Sequence, residues 1–414
     1  MQLVFEAVSE ARPGPKWQAL FRRYWPAYRT WYLNRCGPAQ PSLQEAKQAL
    51  RHYMPELVPT FERLVELTGG DPLAARLLSC YRPPAYLISC SQAALSRPGR
   101  GVLVRNYDLD PQLNEGLILH SAWNGRQVIA TSEFMWGVAD GMNDAGLALS
   151  LAFGGRKTVG DGFGIPLILR YVLEVCDDLP DAIAVLRRVP SHMAYNITLL
   201  DRRGECATVQ VAPDRPTVVL KLPVATNHQG LVEWAEHARF TATVEREQVL
   251  RARLADSQTT ERDLIKAFLR LPLYNTDYQH GFGTLYTAVY RPEQGTVHWH
   301  WPDASWSQSF AAFREGTRTV HYTPSGARVM AAPAAPRAEP SWQAGEWHDW
   351  GWQGTEADHT IPIRQGLNAV RTALANAGCS FSPELTAWFA AVERGGRIPW
   401  ETLGTVCAEG SCGR

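Results

Sequence analysis

The stretch that decides the fold is Ile88-Ser89-Cys90-Ser91-Gln92-Ala93-Ala94, followed by Val104-Arg105-Asn106-Tyr107-Asp108. Cys90 lies among apolar residues typical of a β-strand, and Arg105 and Asp108 follow at a spacing that suits the returning strand of a hairpin. A thiol beside a guanidinium and a carboxylate is a nucleophile whose pKa the neighbouring charges can control. The alternatives are a buried strand cysteine that acts as a small hydrophobic residue, and a structural Arg105–Asp108 ion pair.

The composition is that of a soluble globular protein without an electrostatic partner. The 414 residues carry 41 Lys and Arg against 41 Asp and Glu, so the formal net charge is zero. This balance argues against a nucleic-acid or anionic-membrane partner, and no apolar run reaches the ~20 residues of a membrane span. The 8 cysteines are scattered rather than spaced as a disulfide scaffold, and the first residues, which carry acids early, lead us to expect no secretory signal. We therefore expect a cytoplasmic protein with mostly reduced thiols.

The pattern along the chain predicts α+β architecture with antiparallel sheets. Apolar residues recur at helical spacing through residues 15–80, and short β-like runs separated by turn residues fill 86–151. Two helices, more strands, further helices and a final hairpin over 283–301 follow. This segregated order favours α+β over an alternating parallel sheet.

A second candidate residue is Asn227, at the end of the β-like run Val224-Ala225-Thr226-Asn227-His228. An Asn side chain at a strand end can donate a hydrogen bond to a developing oxyanion. The alternative is a residue that only forms the turn.

The histidines offer competing chemistry. His298 and His300 lie on one face of a predicted strand, as a zinc pair would, with His280 or His321 as a possible third ligand. A Cys–His dyad of the protease kind, formed by Cys90 with His228 or His120, is also open at this point.

Taken together, these residues resemble the peptidase C45 family, which contains acyl-coenzyme A:6-aminopenicillanic-acid acyltransferase and belongs to the N-terminal nucleophile (Ntn) hydrolases. The resemblance extends from about residue 86 to residue 313. The matching pieces, in chain order, are Cys90-Ser91, Arg105-Asn106-Tyr107-Asp108, Asp140-Gly141-Met142-Asn143-Asp144-Ala145-Gly146-Leu147, Ile165-Pro166, Thr226-Asn227-His228 and Gly283-Thr284-Leu285-Tyr286.

The resemblance implies a four-layer αββα sandwich and a precursor that cuts itself between Ser89 and Cys90. The Cys90 thiol would then be the nucleophile, and its own α-amino group, with a reference pKa near ~7.7–8.0, the general base. By the same resemblance Asp108 would orient that amine, Arg105 would favour the thiolate, and the Asn227 side chain would donate to the oxyanion.

The sequence departs from the family pattern at three points. Ser89 stands where many relatives have Gly, and residues 148–153 lack the second oxyanion Asn of bile salt hydrolases. An Arg that those relatives place before the last hairpin is missing, so either Arg239 or Arg246 is left to replace it. By the same resemblance, Phe134, Trp136 and Phe153 are expected to line the substrate pocket, together with His228. For each of the three aromatic residues, packing in the core is the alternative.

The predicted function is therefore an autoprocessed cysteine Ntn amidohydrolase or acyltransferase that cleaves a small-molecule linear amide without a cofactor or metal. We expect a helical pro-region over 1–89 that could remain bound after cleavage, a catalytic domain over 90–322, a Pro/Ala-rich linker over 323–340 and a Trp-rich extension over 341–414. The alternatives are an inactive Ntn-fold binding protein and a zinc hydrolase using His298 and His300. The resemblance leaves a homo-oligomer open.

Overall fold

The computed structural model describes residues 1–36, 40–86, 89–97, 100–278, 282–323 and 326–330, the last five for the backbone alone. The predicted linker beyond residue 330 and the Trp-rich extension over 341–414 lie outside the described residues. Among the helices described, none combines the length and the apolar character needed to span a bilayer.

Strands and helices follow one another in segregated groups along the described chain. The strands are β1 (Gln2–Glu10), β2 (Ser89–Arg97), β3 (Arg100–Leu109), β4 (Leu117–Ser121), β5 (Val128–Glu133), β6 (Gly137–Asn143), β7 (Leu147–Phe153), β8 (Tyr195–Asp201), β9 (Cys206–Ala212), β10 (Arg215–Leu220), β11 (Val224–Ala225), β12 (Gly283–Arg291), β13 (Thr296–Trp301), β14 (Ala304–Ser309), β15 (Gly316–Thr323) and β16 (Gly326–Met330). The helices are α1 (Pro15–Arg35), α2 (Leu43–Tyr53), α3 (Val58–Leu67), α4 (Pro72–Leu78), α5 (Ile165–Val175), α6 (Leu179–Arg188), α7 (Ala235–Phe240), α8 (Thr243–Ala255) and α9 (Glu261–Phe268).

The strands form two sheets. The larger sheet has the order β10-β9-β8-β7-β6-β5-β4-β1-β15-β16, and the smaller has the order β11-β2-β3-β12-β13-β14. Within the larger sheet β1 and β4 are parallel, and the other neighbouring strands are antiparallel. Antiparallel pairing agrees with the prediction made from the segregated order of elements.

The two sheets pack face to face through polar as well as apolar contacts. Gln92 on β2 bridges them, because its Nε2 donates to the Asn196 carbonyl on β8 at 2.9 Å and its Oε1 accepts from Ser150 Oγ on β7 at 2.6 Å. Each of these side chains is buried. Such satisfied polar contacts fix the alignment of one sheet on the other.

Helices cover the outer faces of both sheets. On the larger sheet α5 packs so closely on β6 that a Cβ at Gly141 would lie 2.9 Å from Leu173 Cδ1, and α6 packs against β9. On the smaller sheet Leu250 of α8 and Phe268 of α9 join the cluster that contains Val104 of β3. The result is a four-layer αββα sandwich, which confirms the predicted fold.

The segment before Cys90 differs from the helical prediction at its start. Helices α1 to α4 lie within this segment as predicted, and a capping box joining Ser42 and Glu45 starts α2 where the sequence indicated. Residues 2–10, however, are not helical: β1 pairs with β4 on one side and β15 on the other. The alternation of buried Phe5 and Ala7 with the less buried Val4 and Glu6 is a strand pattern.

The predicted linker also needs a correction at its beginning. Residues 326–330 form β16, whose backbone pairs with β15. The larger sheet therefore extends past residue 322, the predicted end of the catalytic domain. The small-residue and Pro-rich composition that suggested a linker starts inside this hairpin.

Candidate active site

Cys90 is the second residue of β2 and lies opposite Tyr107 of β3, while Ser89 lies opposite Asp108. Because side chains alternate along a strand, Cys90 and Ser89 point to opposite faces of the smaller sheet. The Ser89 hydroxyl accepts a hydrogen bond from Arg246 Nη2 of α8 at 3.1 Å. The Cys90 thiol therefore points into the layer between the two sheets.

Arg105 contacts that thiol directly. Its Nη2 donates to Cys90 Sγ at 3.0 Å, and neither residue has any exposed surface. The rest of the guanidinium is fixed by three other strands: Nε donates to the Leu151 carbonyl at 3.1 Å, and Nη1 donates to Asp140 and to Tyr286 Oη, the latter at 3.3 Å. The guanidinium is thus held rigidly against the sulfur.

Asp140 of β6 is the counter-ion that keeps Arg105 in place. Its carboxylate also accepts hydrogen bonds from Thr131 Oγ1 at 3.0 Å, from Tyr286 Oη at 2.7 Å and from Tyr290 Oη. The sequence indicated Asp140 only as the first residue of a matching motif, without a role. Its pairing with Arg105 is long-range, and no local signal could have identified it.

Burial dominates the ionisation of the thiol in the intact chain. It raises the pKa of Cys90 to about 12, although the positive charge of Arg105 lowers that pKa in opposition. Burial also opposes the charge on Arg105, but the nearby Cys90 and Asp140 hold its pKa above its ordinary value. Burial therefore favours the neutral thiol of Cys90, although a fixed cation lies next to it.

Asn227, the second residue after β11, contacts both residues of the Ser89–Cys90 peptide bond. Its Oδ1 accepts three hydrogen bonds: from the Cys90 backbone N–H at 3.1 Å, from Ser89 Oγ at 2.6 Å and from Arg246 Nη2 at 2.7 Å. Its Nδ2 donates to the Phe153 carbonyl at 3.2 Å. In the intact chain Asn227 therefore binds the nitrogen of the predicted scissile bond, and its role as an oxyanion donor stays a prediction.

The backbone of Asn227 is held by two close neighbours. Its N–H donates to Thr243 Oγ1 at 2.6 Å, at the start of α8. Gly155 lies against its carbonyl with φ of +67°, and a Cβ at Gly155 would lie 2.2 Å from the Asn227 oxygen. Only glycine permits both this left-handed conformation and this approach.

Asp108 is bound by Arg246 and Thr284. Arg246 Nη1 donates to Asp108 Oδ2 at 2.9 Å, and Thr284 Oγ1 donates to Oδ1 at 2.7 Å. Burial raises the pKa of Asp108 and lowers that of Arg246, while each partner opposes the other's shift. Among the described residues the Cys90 backbone N–H donates to Asn227 Oδ1, so the contact of Asp108 with a free Cys90 amine stays a prediction.

The sequence left open whether Arg239 or Arg246 belongs to the site, and the structure distinguishes the two. Arg246 is buried among Asp108, Asn227 and Ser89, whereas Arg239 is exposed on α7. Arg246 is thus the second buried cation of the site, and it reaches the site from a helix on the outer face of the smaller sheet.

The residues predicted to line the pocket are not all together. Phe153 is buried beside Asn227 and packs edge-on to Tyr195. Phe134 and Trp136 belong to the turn between β5 and β6, where Trp136 Nε1 donates to the Leu78 carbonyl at 2.9 Å.

His228 is directed to helix α8 instead. Its Nδ1 lies 3.0 Å from Thr243 Oγ1, and its Nε2 lies 3.2 Å from Glu247 Oε2. Through these contacts His228 joins the turn after β11 to α8.

The competing histidine sites find little support among the described residues. His120 lies on β4 of the larger sheet and contacts Ser9 and Gln127, so neither it nor His228 forms a dyad with Cys90. The rings of His298 and His300 are parallel, with centroids 5.9 Å apart. No group of three His, Cys, Asp or Glu side chains suited to a metal occurs in the described part of the chain, from which His280 is missing.

Comparison with known proteins now assigns the family. Residues 95–306 match the family described as acyl-coenzyme A:6-aminopenicillanic acid acyl-transferase, which is just over half of the chain. The chain belongs to this family. The protein is accordingly an enzyme of amide chemistry, a hydrolase or acyltransferase with the Ntn fold. No match was found among curated protein sequences.

Solved structures with distant similarity include three acylases or amidases. Penicillin V acylase from Agrobacterium tumefaciens has 12% identity over 56% of this chain and 90% of its own, with a TM-score of 0.39. A variant of conjugated bile acid hydrolase from Clostridium perfringens has 13% identity over 57% of this chain and 98% of its own, with a TM-score of 0.38. The Caenorhabditis elegans ortholog of N-acylethanolamine-hydrolyzing acid amidase has 16% identity over 49% of this chain and 93% of its own, with a TM-score of 0.36. These values are low, so the assignment depends on the family match.

Proposed function

We propose that this enzyme is a cysteine Ntn hydrolase that cuts its own chain between Ser89 and Cys90 and then cleaves a linear amide through a thioester on Cys90. The observation that carries the proposal is the 3.0 Å contact between Arg105 Nη2 and Cys90 Sγ in a fully buried site. The family match begins at residue 95 and does not include Cys90, so the assignment of the nucleophile is supported by this geometry.

Self-cleavage would begin with attack of Cys90 Sγ on the carbonyl carbon of Ser89. The bond from that carbon to the Cys90 nitrogen breaks, the nitrogen takes up the thiol proton, and Ser89 is left as a thioester. Water then hydrolyses the thioester, which gives a Ser89 carboxylate and frees both the thiol and the α-amine of Cys90. The hydrogen bond from the Cys90 N–H to Asn227 Oδ1 at 3.1 Å supports this step, because it orients the amide that must break.

Cleavage is needed in this proposal because the intact chain hides its nucleophile. Cys90 has no exposed surface, and burial raises its pKa to about 12. A new α-amino group would provide a base with a pKa near ~7.7–8.0 next to the sulfur. Since an ammonium also stabilises a neighbouring thiolate, the same event would lower the pKa of the thiol.

In the reaction with substrate, the α-amine accepts the thiol proton while Sγ bonds to the amide carbonyl carbon. Arg105 stabilises the thiolate, and the Asn227 amide donates to the oxyanion after it leaves the Phe153 carbonyl. The substrate C–N bond then breaks, and the leaving amine takes the proton from the Cys90 ammonium. Water releases the acid from the thioester and restores the free thiol; an amine in place of water would make the reaction an acyl transfer.

The segment before the cut would remain part of the enzyme. Its first strand, β1, lies inside the larger sheet between β4 and β15. In addition, Trp17 Nε1 donates to the Met135 carbonyl at 3.0 Å. Removal of this segment would separate β15 and β16 from the other strands of the larger sheet, so we propose that fragments 1–89 and 90–414 stay associated.

The proposal is tested by trapping the thioester. A panel of N-acyl amino acids, N-acyl amines and penicillins is mixed with the enzyme, the reaction is quenched in acid, and peptides are analysed by mass spectrometry. We expect an acyl adduct on Cys90 that is absent from Cys90→Ala and retained in Cys206→Ser, a control at a half-buried cysteine. Turnover that persists in Cys90→Ala would contradict the proposed nucleophile.

A further inference from the structure

Asn196, on β8 of the larger sheet, is a buried polar residue that the proposed mechanism does not use. It pairs with Ala152 of β7 and has no exposed surface. Its Nδ2 donates two hydrogen bonds, to the Thr226 carbonyl at 2.9 Å and to the His228 carbonyl at 2.9 Å. These two carbonyls flank Asn227 in the chain. Asn196 therefore holds, from the opposite sheet, the turn that carries the proposed oxyanion donor.

The peptide group between Thr226 and Asn227 is fixed at both of its polar atoms. Its carbonyl oxygen accepts from Asn196 Nδ2, and its N–H donates to Thr243 Oγ1 of α8 at 2.6 Å. One partner belongs to the larger sheet and the other to a helix outside the smaller sheet, so this peptide cannot turn without breaking a buried hydrogen bond. The Asn227 Cα, and with it the start of its side chain, is thereby held in place.

The oxygen of the Asn196 side chain contributes nothing comparable. Its Oδ1 is buried and has no hydrogen-bond partner among the described residues. Since two carbonyl oxygens can be bound only by the nitrogen, the contacts themselves assign the orientation of this amide. A buried acceptor without a partner is costly to keep, so the two donated hydrogen bonds are what Asn196 contributes here.

Asn196 is also tied to the strand of the nucleophile. Its backbone carbonyl accepts from Gln92 Nε2 at 2.9 Å. Gln92 comes two residues after Cys90 in β2, so both side chains point to the same face of the smaller sheet. A chain of hydrogen bonds therefore leads from the strand of Cys90 through Asn196 to the turn of Asn227, and it fixes that strand and that turn relative to each other.

We propose that Asn196 is a positioning residue for the amide reaction. It holds the turn over 226–228 so that the Asn227 amide, once it leaves the Phe153 carbonyl, meets the oxyanion. Placement matters because an oxyanion donor acts only at hydrogen-bond distance, and a displacement of ~1 Å can cost about 10²-fold in rate. This inference rests on the proposed Cys90 mechanism, in which Asn227 is the oxyanion donor.

The test substitutes Asn196→Asp, which keeps the size of the side chain and removes both N–H donors. A neutral aspartic acid can donate one hydrogen bond, whereas its carboxylate would repel both carbonyl oxygens. We expect kcat per cut molecule to fall by about 10- to 100-fold, with KM within about threefold of wild type, for an amide that forms the Cys90 adduct. Relative to wild type, the loss should grow between about pH 5 and about pH 9, because more of the carboxyl group is ionised.

Asn143→Asp is the matched control. Asn143 is also fully buried, and its Nδ2 also donates to two carbonyls, those of Leu173 at 3.0 Å and Cys176 at 2.8 Å. Both carbonyls lie at the end of α5, on the outer face of the larger sheet. We expect urea unfolding to show a lower stability for both variants, and only Asn196→Asp to lose kcat. If Asn196→Asp stays uncut where Asn143→Asp is cut, the comparison uses Asn196→Gln, which keeps the donors on a longer side chain.

Alkylation of Cys90 by iodoacetamide separates positioning from a general loosening of the site, because this reaction forms no oxyanion. We expect the alkylation rate of the Asn196 variant to stay within about twofold of wild type. Losses of kcat and of alkylation rate by the same factor would overturn the inference, as would a kcat equal to that of Asn143→Asp.

Asn227→Ala shows whether Asn196 acts through Asn227. We expect this variant alone to lower kcat by about 10²–10³, and Asn196→Asp added to it to lower kcat no further. Independent losses that multiply in the double variant would overturn the inference. Wild-type kcat in Asn227→Ala would instead overturn the oxyanion donor of the proposed function.

Discussion

Arg246 Nη2 lies 2.7 Å from Asn227 Oδ1, so a helix on the outer face of the smaller sheet reaches through to the Ser89–Cys90 bond. The same guanidinium donates to Asp108 at 2.9 Å and to Ser89 Oγ at 3.1 Å. The Arg246 guanidinium therefore connects the Asp108 carboxylate, the Asn227 side-chain amide and Ser89, the residue before the predicted cut. Arg246 therefore joins the side chains on both sides of the predicted cut.

Arg246→Met should prevent this alignment while it keeps most of the side-chain volume. We expect self-cleavage to slow by at least tenfold, and the free energy of unfolding to fall by about 3–5 kcal/mol because Asp108 loses its buried ion-pair partner. The cleavage rate is followed by gel electrophoresis of freshly synthesised protein, and stability by urea unfolding. The matched control is Arg239→Met, at the exposed arginine of α7, which should behave as wild type. Similar behaviour of the two variants would contradict the assignment.

Gly155 should be needed for the position of Asn227. Gly155→Ala would place a Cβ 2.2 Å from the Asn227 carbonyl, whereas Gly230→Ala, at nearly the same φ, would meet no atom within 4 Å. Both variants carry the left-handed strain of roughly 1–2 kcal/mol, so the difference between them isolates the clash. We expect only Gly155→Ala to slow cleavage and turnover. Thermal unfolding and initial rates measure both effects, and equal losses would mean that the close approach is unimportant.

His237 should make the protein less stable in mild acid. Its ring is stacked on Trp234 with centroids 5.0 Å apart, and burial, with help from Arg246, lowers its pKa from 6.5 to about 4. Between these two values the unfolded chain binds the proton and the folded protein does not, so stability falls as the pH falls. We expect a loss of about 2 kcal/mol between pH 7 and pH 5 from this residue. Urea unfolding of His237→Phe, which keeps a ring, should show a pH dependence reduced by that amount; an unchanged dependence would exclude His237 as the source.

Much of the fold could be predicted because local patterns and long-range structure agree. The alternating runs around Cys90 and Arg105 form the hairpin of β2 and β3, and Pro166 lies in the first turn of α5 as expected. β1 was not predicted, since a strand whose partners lie more than 100 residues away has no local turn signal. β6 carries only a weak strand pattern, because Gly137 and Gly141 interrupt it although close packing of α5 requires them.

The site was predictable only where the sequence carried a motif. Cys90, Arg105 and Asn227 come together as the resemblance implied. Asp140 and Tyr290 could not be assigned a role, because their contacts join strands that are distant in the sequence. The choice between Arg239 and Arg246 required the three-dimensional path of α8, since both residues lie in what the sequence indicated as one helical stretch.

The most direct test of the central claim, that Cys90 becomes the N-terminal nucleophile, is the intact mass of the purified protein under denaturing conditions, with sequencing of each new N-terminus. The account predicts two fragments, 1–89 and 90–414, the second beginning with Cys90, and a single uncut chain for Cys90→Ala. An uncut wild-type chain that nevertheless hydrolyses an amide would contradict it, as would a cut at this bond that persists in Cys90→Ala.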